Sequence, residues 1–228
     1  SGFATTIEKV LLLPTPNQLS SQLKAMNSTA SNELVVGDVL LGPIQKKLLS
    51  EEQVETLNYN QAVLLKTTES IDSEIFRKCL AQLTTQHDML RTRFEKAEHS
   101  WKQKCLAEVP MESVLTHYDV KGEESFEQVA EKVQQSIVPT SPSLFKVLLD
   151  TNRALLIAHH LIIDGVSWRI LIEDLNELYA GLLKEEEVVL PPKSTSFKEW
   201  QKNLAGYANS DELLGEKAHW ENVVEESF

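Results

Sequence analysis

A chain of 228 residues, 42% hydrophobic and 25% charged, is long enough to bury a large core and has an ordinary globular composition. Its formal net charge of −12 argues against nucleic acid, because phosphate contacts need clustered Lys and Arg, and the basic clusters here are short: Lys46-Lys47 and Arg91/Arg93. No apolar run approaches the roughly 20 residues that cross a bilayer, and no charged-then-apolar signal opens the chain, so no membrane partner is expected.

Residues 1–36, through "PTPNQLSSQLKAMNSTASNE", are rich in Pro, Ser, Asn and Thr and read as a linker or lead-in. The start at Ser1-Gly2 rather than Met leads us to expect a piece excised from something longer. Order is expected from near Val39, within a domain of residues 37–228. "GPIQKKLLSEEQ" predicts a short helix that Pro43 opens, and Asn60 to Thr67 a strand. Ser70 to Arg91 predicts an amphipathic helix, because Ile75, Phe76, Cys79, Leu80, Leu83 and Leu90 recur at helical steps. Cys79 and Cys105 lack metal-ligand spacing and are expected to be packing thiols in a reducing, cytoplasmic setting. A strand is expected around Trp101 to Glu108, and a helix in "EESFEQVAEKVQQSIV".

Pro139 and Pro142 then break the chain. "LFKVLLD" and "RALLIAHH" flank Thr151-Asn152 and read as a hairpin. A clear helix follows, with Trp168, Leu171, Leu175, Leu178 and Leu182 on one face. "KEEEVVLPPKSTS" reads as an exposed connection, and Phe197 to Tyr207 and Asp211 to Val224 as two final helices. Strands mixed with helices in this way predict a layered α/β domain rather than a bundle.

"AHHLIIDG" carries the candidate chemistry. Successive strand residues face opposite ways, so His159 and His160 do not converge on one ion, and no metal is expected. By the same alternation one histidine faces the core and only the other is open to act as a base; a purely hydrogen-bonded pair at a strand end is the plain alternative. Two structural roles stand open for Asp164: capping the helix that begins at Gly165 to Ser167, or pairing with a buried arginine.

"HHLIIDG" matches the HHxxxDG signature, and with it the chain resembles the condensation-domain superfamily of nonribosomal peptide synthetases, which shares its fold with chloramphenicol acetyltransferase. Two other blocks agree in order. "LLGPIQ" (Leu40 to Gln45) resembles the family's first block. "QHDMLRTRF" resembles its "RHExLRTxF" block, with Gln86 for Arg and Asp88 for Glu. "DGVSWRILIEDL" and "STSFKEWQKNLAGYANSDELL" look like epimerization domains, where condensation domains more often read "DGWS".

The resemblance implies an α/β two-layer sandwich: one chloramphenicol acetyltransferase-like lobe, a mixed sheet flanked by helices, with the C-terminal lobe of a two-lobed domain absent. It implies L-to-D epimerization of an aminoacyl or peptidyl thioester held on the phosphopantetheine arm of a peptidyl carrier domain, with no metal, nucleotide or flavin. His160 takes the catalytic position, supported by His159 and by Asp164 paired with Arg91. Gly165 is expected to let the chain turn tightly, and Ser167 and Trp168 to begin the helix behind it, where core packing is the plainer role of Trp168. The resemblance puts a partner glutamate in the missing lobe, and an isolated lobe is expected to be inactive. Peptide-bond formation by the same histidine and carrier docking without chemistry are the alternatives.

Overall fold

The computed structural model describes residues 33–51, 57–98 and 100–226, with two dipeptide strands at 3–4 and 24–25. Most of the expected lead-in, residues 1–36, lies outside the described residues. The chain divides into two units, Ser1–Asn32 with Pro192–Thr195, and Glu33–Pro191 with Ser196–Phe228. In the first, β1 (Phe3–Ala4) and β2 (Lys24–Ala25) pair antiparallel.

The second unit holds two sheets. Strands β4 (Asn60–Lys66), β9 (Arg153–His159), β8 (Phe145–Leu149) and β7 (Leu115–His117) form a mixed sheet in the order β4-β9-β8-β7, in which only β7 and β8 run parallel. A smaller antiparallel sheet has the order β3-β6-β5, from β3 (Gly37–Val39), β5 (Thr92–Ala97) and β6 (Ser100–Cys105). The expected hairpin is β8-β9. Its Asp150–Arg153 turn is closed by Asp150 N–H on the Arg153 carbonyl and by Arg153 Nε on Asp150 Oδ2, both at 2.8 Å. Strand β9 is apolar on both faces because it is central and covered: Ala154, Leu156, Ile157 and Ala158 are fully buried.

Helices α1 (Pro43–Leu49), α2 (Ser73–Gln86), α3 (Met111–Val114), α4 (Phe126–Gln135), α5 (Gly165–Leu183), α6 (Phe197–Tyr207), α7 (Asp211–Gly215) and α8 (Lys217–Glu226) complete the described residues. Asp72 caps α2 by accepting from the N–H groups of Glu74 and Ile75, and Ser125 caps α4. The packed face of α2 is the expected one, with Phe76, Cys79, Leu80 and Leu83 buried. Burial pushes the Cys79 thiol up to about 11, which keeps it protonated and unreactive at neutral pH. Helix α5 packs against α2 and buries Trp168, Leu171, Leu175 and Leu178, each worth about 1.5–3 kcal/mol over exposure.

Three expectations are corrected. The helix expected over Ser70 to Arg91 ends at Gln86 and passes into a 3₁₀ turn, Asp88–Arg91, which brings the Arg91 guanidinium back onto the carbonyls of Thr84 and Thr85 at the helix end. The helix expected over Asp211 to Val224 is two helices. Gly215 ends α7, since glycine holds a helix weakly, and the chain tightens there with Glu216 N–H on the Leu213 carbonyl. Gly165 is the first residue of α5, and no turn there demands glycine: its φ lies outside the left-handed region and a Cβ would meet nothing within 4 Å.

Candidate active site

The loop after β9 is held from several sides. His159 N–H donates to the Leu144 carbonyl at 2.9 Å and His160 N–H to the Tyr59 carbonyl at 2.8 Å, so the end of β9 is tied to the segments leading into both its neighbours. Leu161, Ile162 and Ile163 are buried and anchor the loop in the core. Gln45, near the start of α1, accepts the Gly42 N–H at 2.9 Å and donates to the Leu161 carbonyl at 3.0 Å. The "GPIQ" block thus bolts α1 to the histidine loop. Gly42 packs closely there: a Cβ would lie 3.0 Å from the Gln201 amide, which would have to shift by a few tenths of an ångström.

His159 faces the core, fully buried, and both its ring nitrogens are used by backbone. Nδ1 accepts the Leu161 N–H at 3.1 Å, so the ring proton is on Nε2, which donates to the Leu57 carbonyl at 3.1 Å. Burial drives this imidazole below its ordinary range; the Leu57 bond opposes that shift and neighbouring His160 adds to it. A neutral, doubly bonded ring is a fastener for the loop.

His160 points the other way and is half-buried. Its Nδ1 lies 2.7 Å from the Ile163 carbonyl, which can only accept, so Nδ1 carries the proton and Nε2 carries a lone pair. That nitrogen sits 3.1 Å from Gln61 Nε2, while Gln61 Oε1 accepts the Trp168 indole N–H at 3.0 Å. The Tyr59 ring stacks on the imidazole, with centroids 5.0 Å apart. The alternation expected from the sequence therefore describes the pair, with one ring sealed and one ring presenting a basic nitrogen.

Trp168 packs in the core as expected, and its N–H has a partner that sequence reasoning missed. Gln61 and Tyr59 lie on or beside β4, far from the motif in sequence. The available signal for Gln61 was an amide, next to Asn60, at the opening of the apolar run "AVLL".

The expected pairing of Asp164 with Arg91 is not made. Asp164 is exposed and caps α5, its Oδ1 accepting from Ser167 N at 2.8 Å and Ser167 Oγ at 2.7 Å. Those hydrogen bonds, first the backbone one and then the hydroxyl, hold the carboxyl below its ordinary range against a smaller desolvation cost. Arg91 is 1% exposed and its donors are committed elsewhere: Nε to Leu106 O, Nη1 to Thr84 O and Thr85 O, and Nη2 to Val35 O and Asp88 Oδ1. Its charge is met by Asp88 at 2.9 Å, in the same motif block.

Capping and pairing predict different costs. Asp164→Ala lowers stability by about 1 kcal/mol at neutral pH, as for a lost N-cap, rather than the roughly 3–5 kcal/mol of a broken buried ion pair. Because the folded carboxyl is held below its unfolded value, the ionised cap stabilises fully above the ordinary carboxylate range. Its contribution starts to fade as the pH falls into that range and is lost as the pH falls on through the lower folded value, so denaturant midpoints of the wild-type and variant chains converge in acid.

His160 lines a mostly apolar groove of about 600 Å³, shared with Tyr59, Met89 and Ser167 and walled by Trp200 and Leu204 of α6. Among the described residues no helix is long and apolar enough to cross a membrane.

The condensation-domain family model matches residues 35–228. Tyrocidine synthase 2 of Brevibacillus parabrevis is 32% identical over 231 residues, 98% of this chain and 6% of that protein. Bacitracin synthase 3 of Bacillus licheniformis is 34% identical over 234 residues, 99% of this chain and 4% of that protein. Among solved structures, the epimerization domain from the third module of tyrocidine synthetase B superposes with a TM-score of 0.77 at 34% identity, covering 85% of this chain and 46% of that one. The starter condensation domain of rhizomide synthetase gives 0.68 at 18% identity, covering 81% of this chain and 47% of that one, a likeness of fold. The chain thus has the expected chloramphenicol acetyltransferase-like fold, spans about half the length of these solved domains, and covers a small fraction of the synthases.

Proposed function

This chain belongs to the condensation-domain family, and from that premise we propose that it is the N-terminal lobe, residues 37–228, of an epimerization domain in a nonribosomal peptide synthetase. In this reading residues 1–36 are the linker from a preceding carrier domain, and the setting is cytoplasmic. The substrate is an aminoacyl or peptidyl thioester, delivered on a carrier's phosphopantetheine arm into the groove beside His160. The chain itself binds no metal, nucleotide or flavin.

One observation carries the base assignment: with its proton given to the Ile163 carbonyl, His160 keeps a lone pair on Nε2 in a half-buried, groove-lining position. The thioester acidifies the α-carbon. Its Cα–H bond breaks, the proton goes to His160 Nε2, and the electron pair spreads onto the thioester oxygen as an enolate. A proton is returned to the opposite face by a group outside this chain, which regains one from solvent, and the imidazolium sheds its proton to solvent, so the centre is inverted with nothing consumed. The α5 N-cap and the His159 bonds keep the loop in place meanwhile. The likeness to an epimerization domain at 34% identity, against 18% for a condensation domain, supports inversion over coupling.

The family's own description favours a second reading, condensation, in which the same lone pair takes the proton of an attacking amine. Incubating the protein that carries this chain with a carrier-bound aminoacyl thioester in deuterated water separates the two. The epimerase reading expects deuterium at Cα without an acceptor amine. Amide formation with no label at Cα overturns it.

A further inference from the structure

We propose that Trp168 and Gln61 form a positioning relay that acts with the Ile163 carbonyl to keep the lone pair of His160 on Nε2. The proposal rests on the reading of His160 as the base and adds to it the residues that keep the ring in its basic form. An indole N–H only donates, so the Gln61 atom 3.0 Å from Trp168 Nε1 is the carbonyl oxygen Oε1. With Oε1 anchored, the amide must turn its NH₂ end to His160, and that nitrogen lies 3.1 Å from Nε2. An N–H aimed at a ring nitrogen is favourable only when that nitrogen is unprotonated. The Ile163 carbonyl makes the complementary demand at Nδ1.

The ring is thus held in the tautomer opposite to the Nε2–H form that a solvated neutral histidine prefers. Trp168 is 7% exposed and Gln61 half-buried, so water competes weakly for either bond. The relay runs from the first buried residue of α5 to the second residue of β4, joining positions 107 apart in sequence. Productive chemistry displaces the Gln61 N–H from Nε2 as the substrate arrives, so Gln61 acts through His160 and is a positioning residue. This also gives a reason for tryptophan beyond bulk at the start of α5: phenylalanine would fill much of the same space without the N–H.

The test reads the tautomer directly, from imidazole ¹⁵N spectra of this chain at neutral pH, with the His160 signals assigned by their loss in His160→Ala. In the wild-type chain the expected result is a protonated Nδ1 and an unprotonated Nε2. Gln61→Glu keeps the shape and the Trp168 bond but puts an acceptor against Nε2. His160 then becomes protonated on both nitrogens at neutral pH, and deuterium exchange at Cα in the intact protein falls by about 100-fold. Trp168→Phe frees the amide to turn over, so an Nε2–H signal appears and exchange falls about tenfold with KM for the loaded carrier unchanged. Adding Trp168→Phe to Gln61→Ala costs nothing further, because the two act as one unit. The other titratable neighbours of the ring, Tyr59, His159 and Asp164, are the same in every one of these Gln61 and Trp168 variants.

A protonated Nε2 in the wild-type chain overturns the relay, as does a His160 left unprotonated at Nε2 in Gln61→Glu. So does a Trp168→Phe chain whose exchange falls with no change of tautomer, since that is packing alone. The spectra need no substrate: a wild-type chain with the expected tautomer whose parent protein exchanges nothing overturns the epimerase reading and supports the relay.

Discussion

His160→Ala lowers exchange at the α-carbon of a carrier-bound thioester by about 10²–10⁴-fold, the usual worth of a positioned general base, and costs the fold only about 1 kcal/mol. The two effects separate because of where the ring sits. His160 is half-buried at the edge of the groove, and its Nδ1–H bond to Ile163 spans three residues of the same loop. Loop closure itself belongs to His159, which is fully buried between the Leu57 carbonyl and the Leu161 N–H. His159→Ala therefore shows the reverse pattern, with lost stability preceding lost chemistry. Unchanged exchange in His160→Ala would move the base to another residue, and a large loss of stability there would make the ring structural.

Arg91→Met lowers stability by about 3–5 kcal/mol, the range for removing one partner of a buried ion pair, and lowers the midpoint of thermal unfolding on the order of 10 °C. The side chain is 1% exposed and fastens four carbonyls, from Thr84 and Thr85 at the end of α2, Leu106 after β6, and Val35 before β3. Methionine fills the space but takes the guanidinium donor away from those carbonyls and from the Asp88 carboxylate, itself 10% exposed. Arg91→Lys recovers little, since a single ammonium cannot reach acceptors spread on several sides of a planar fork. A thermal shift of only a degree or two in Arg91→Met would show that water replaces the guanidinium and would remove this residue as the brace of the motif block.

Arg91 also shows what a single sequence yields and withholds. Its membership of a motif block and a nearby acid, Asp88, are legible, but its other partners are backbone carbonyls at the end of α2, after β6 and before β3, and no residue type announces those. Asp164 offered a better signal: an aspartate three residues before Ser167, at the opening of an apolar helical pattern, is a capping arrangement, and capping is what it does. The hairpin β8-β9 and helices α2, α5 and α6 follow from hydrophobic period and turn residues, which report burial directly. Strand β5 does not. Its sequence "TRFEKA" is half charged, and it becomes a strand because Thr92–Ala97 pairs along the full length of β6. Strands β3 and β7 are three residues each, too short to carry a period. Within the site, strand alternation was enough to separate the two histidines. The relay through Gln61 was not legible, because it depends on strand β4 lying beside β9, a contact across the fold.

The central claim is that the lone pair on His160 Nε2 serves inversion at an α-carbon. Its most direct test is the configuration of the amino acid recovered from the carrier. The protein that carries this chain receives an L-aminoacyl or L-peptidyl thioester on its carrier domain, the thioester is hydrolysed after a set time, and the enantiomers are separated. The account predicts that the D form accumulates to a steady ratio with the L form, without any acceptor amine, and that it is lost in His160→Ala. Recovery of the L form alone, with a new amide bond appearing once an acceptor is supplied, would contradict it.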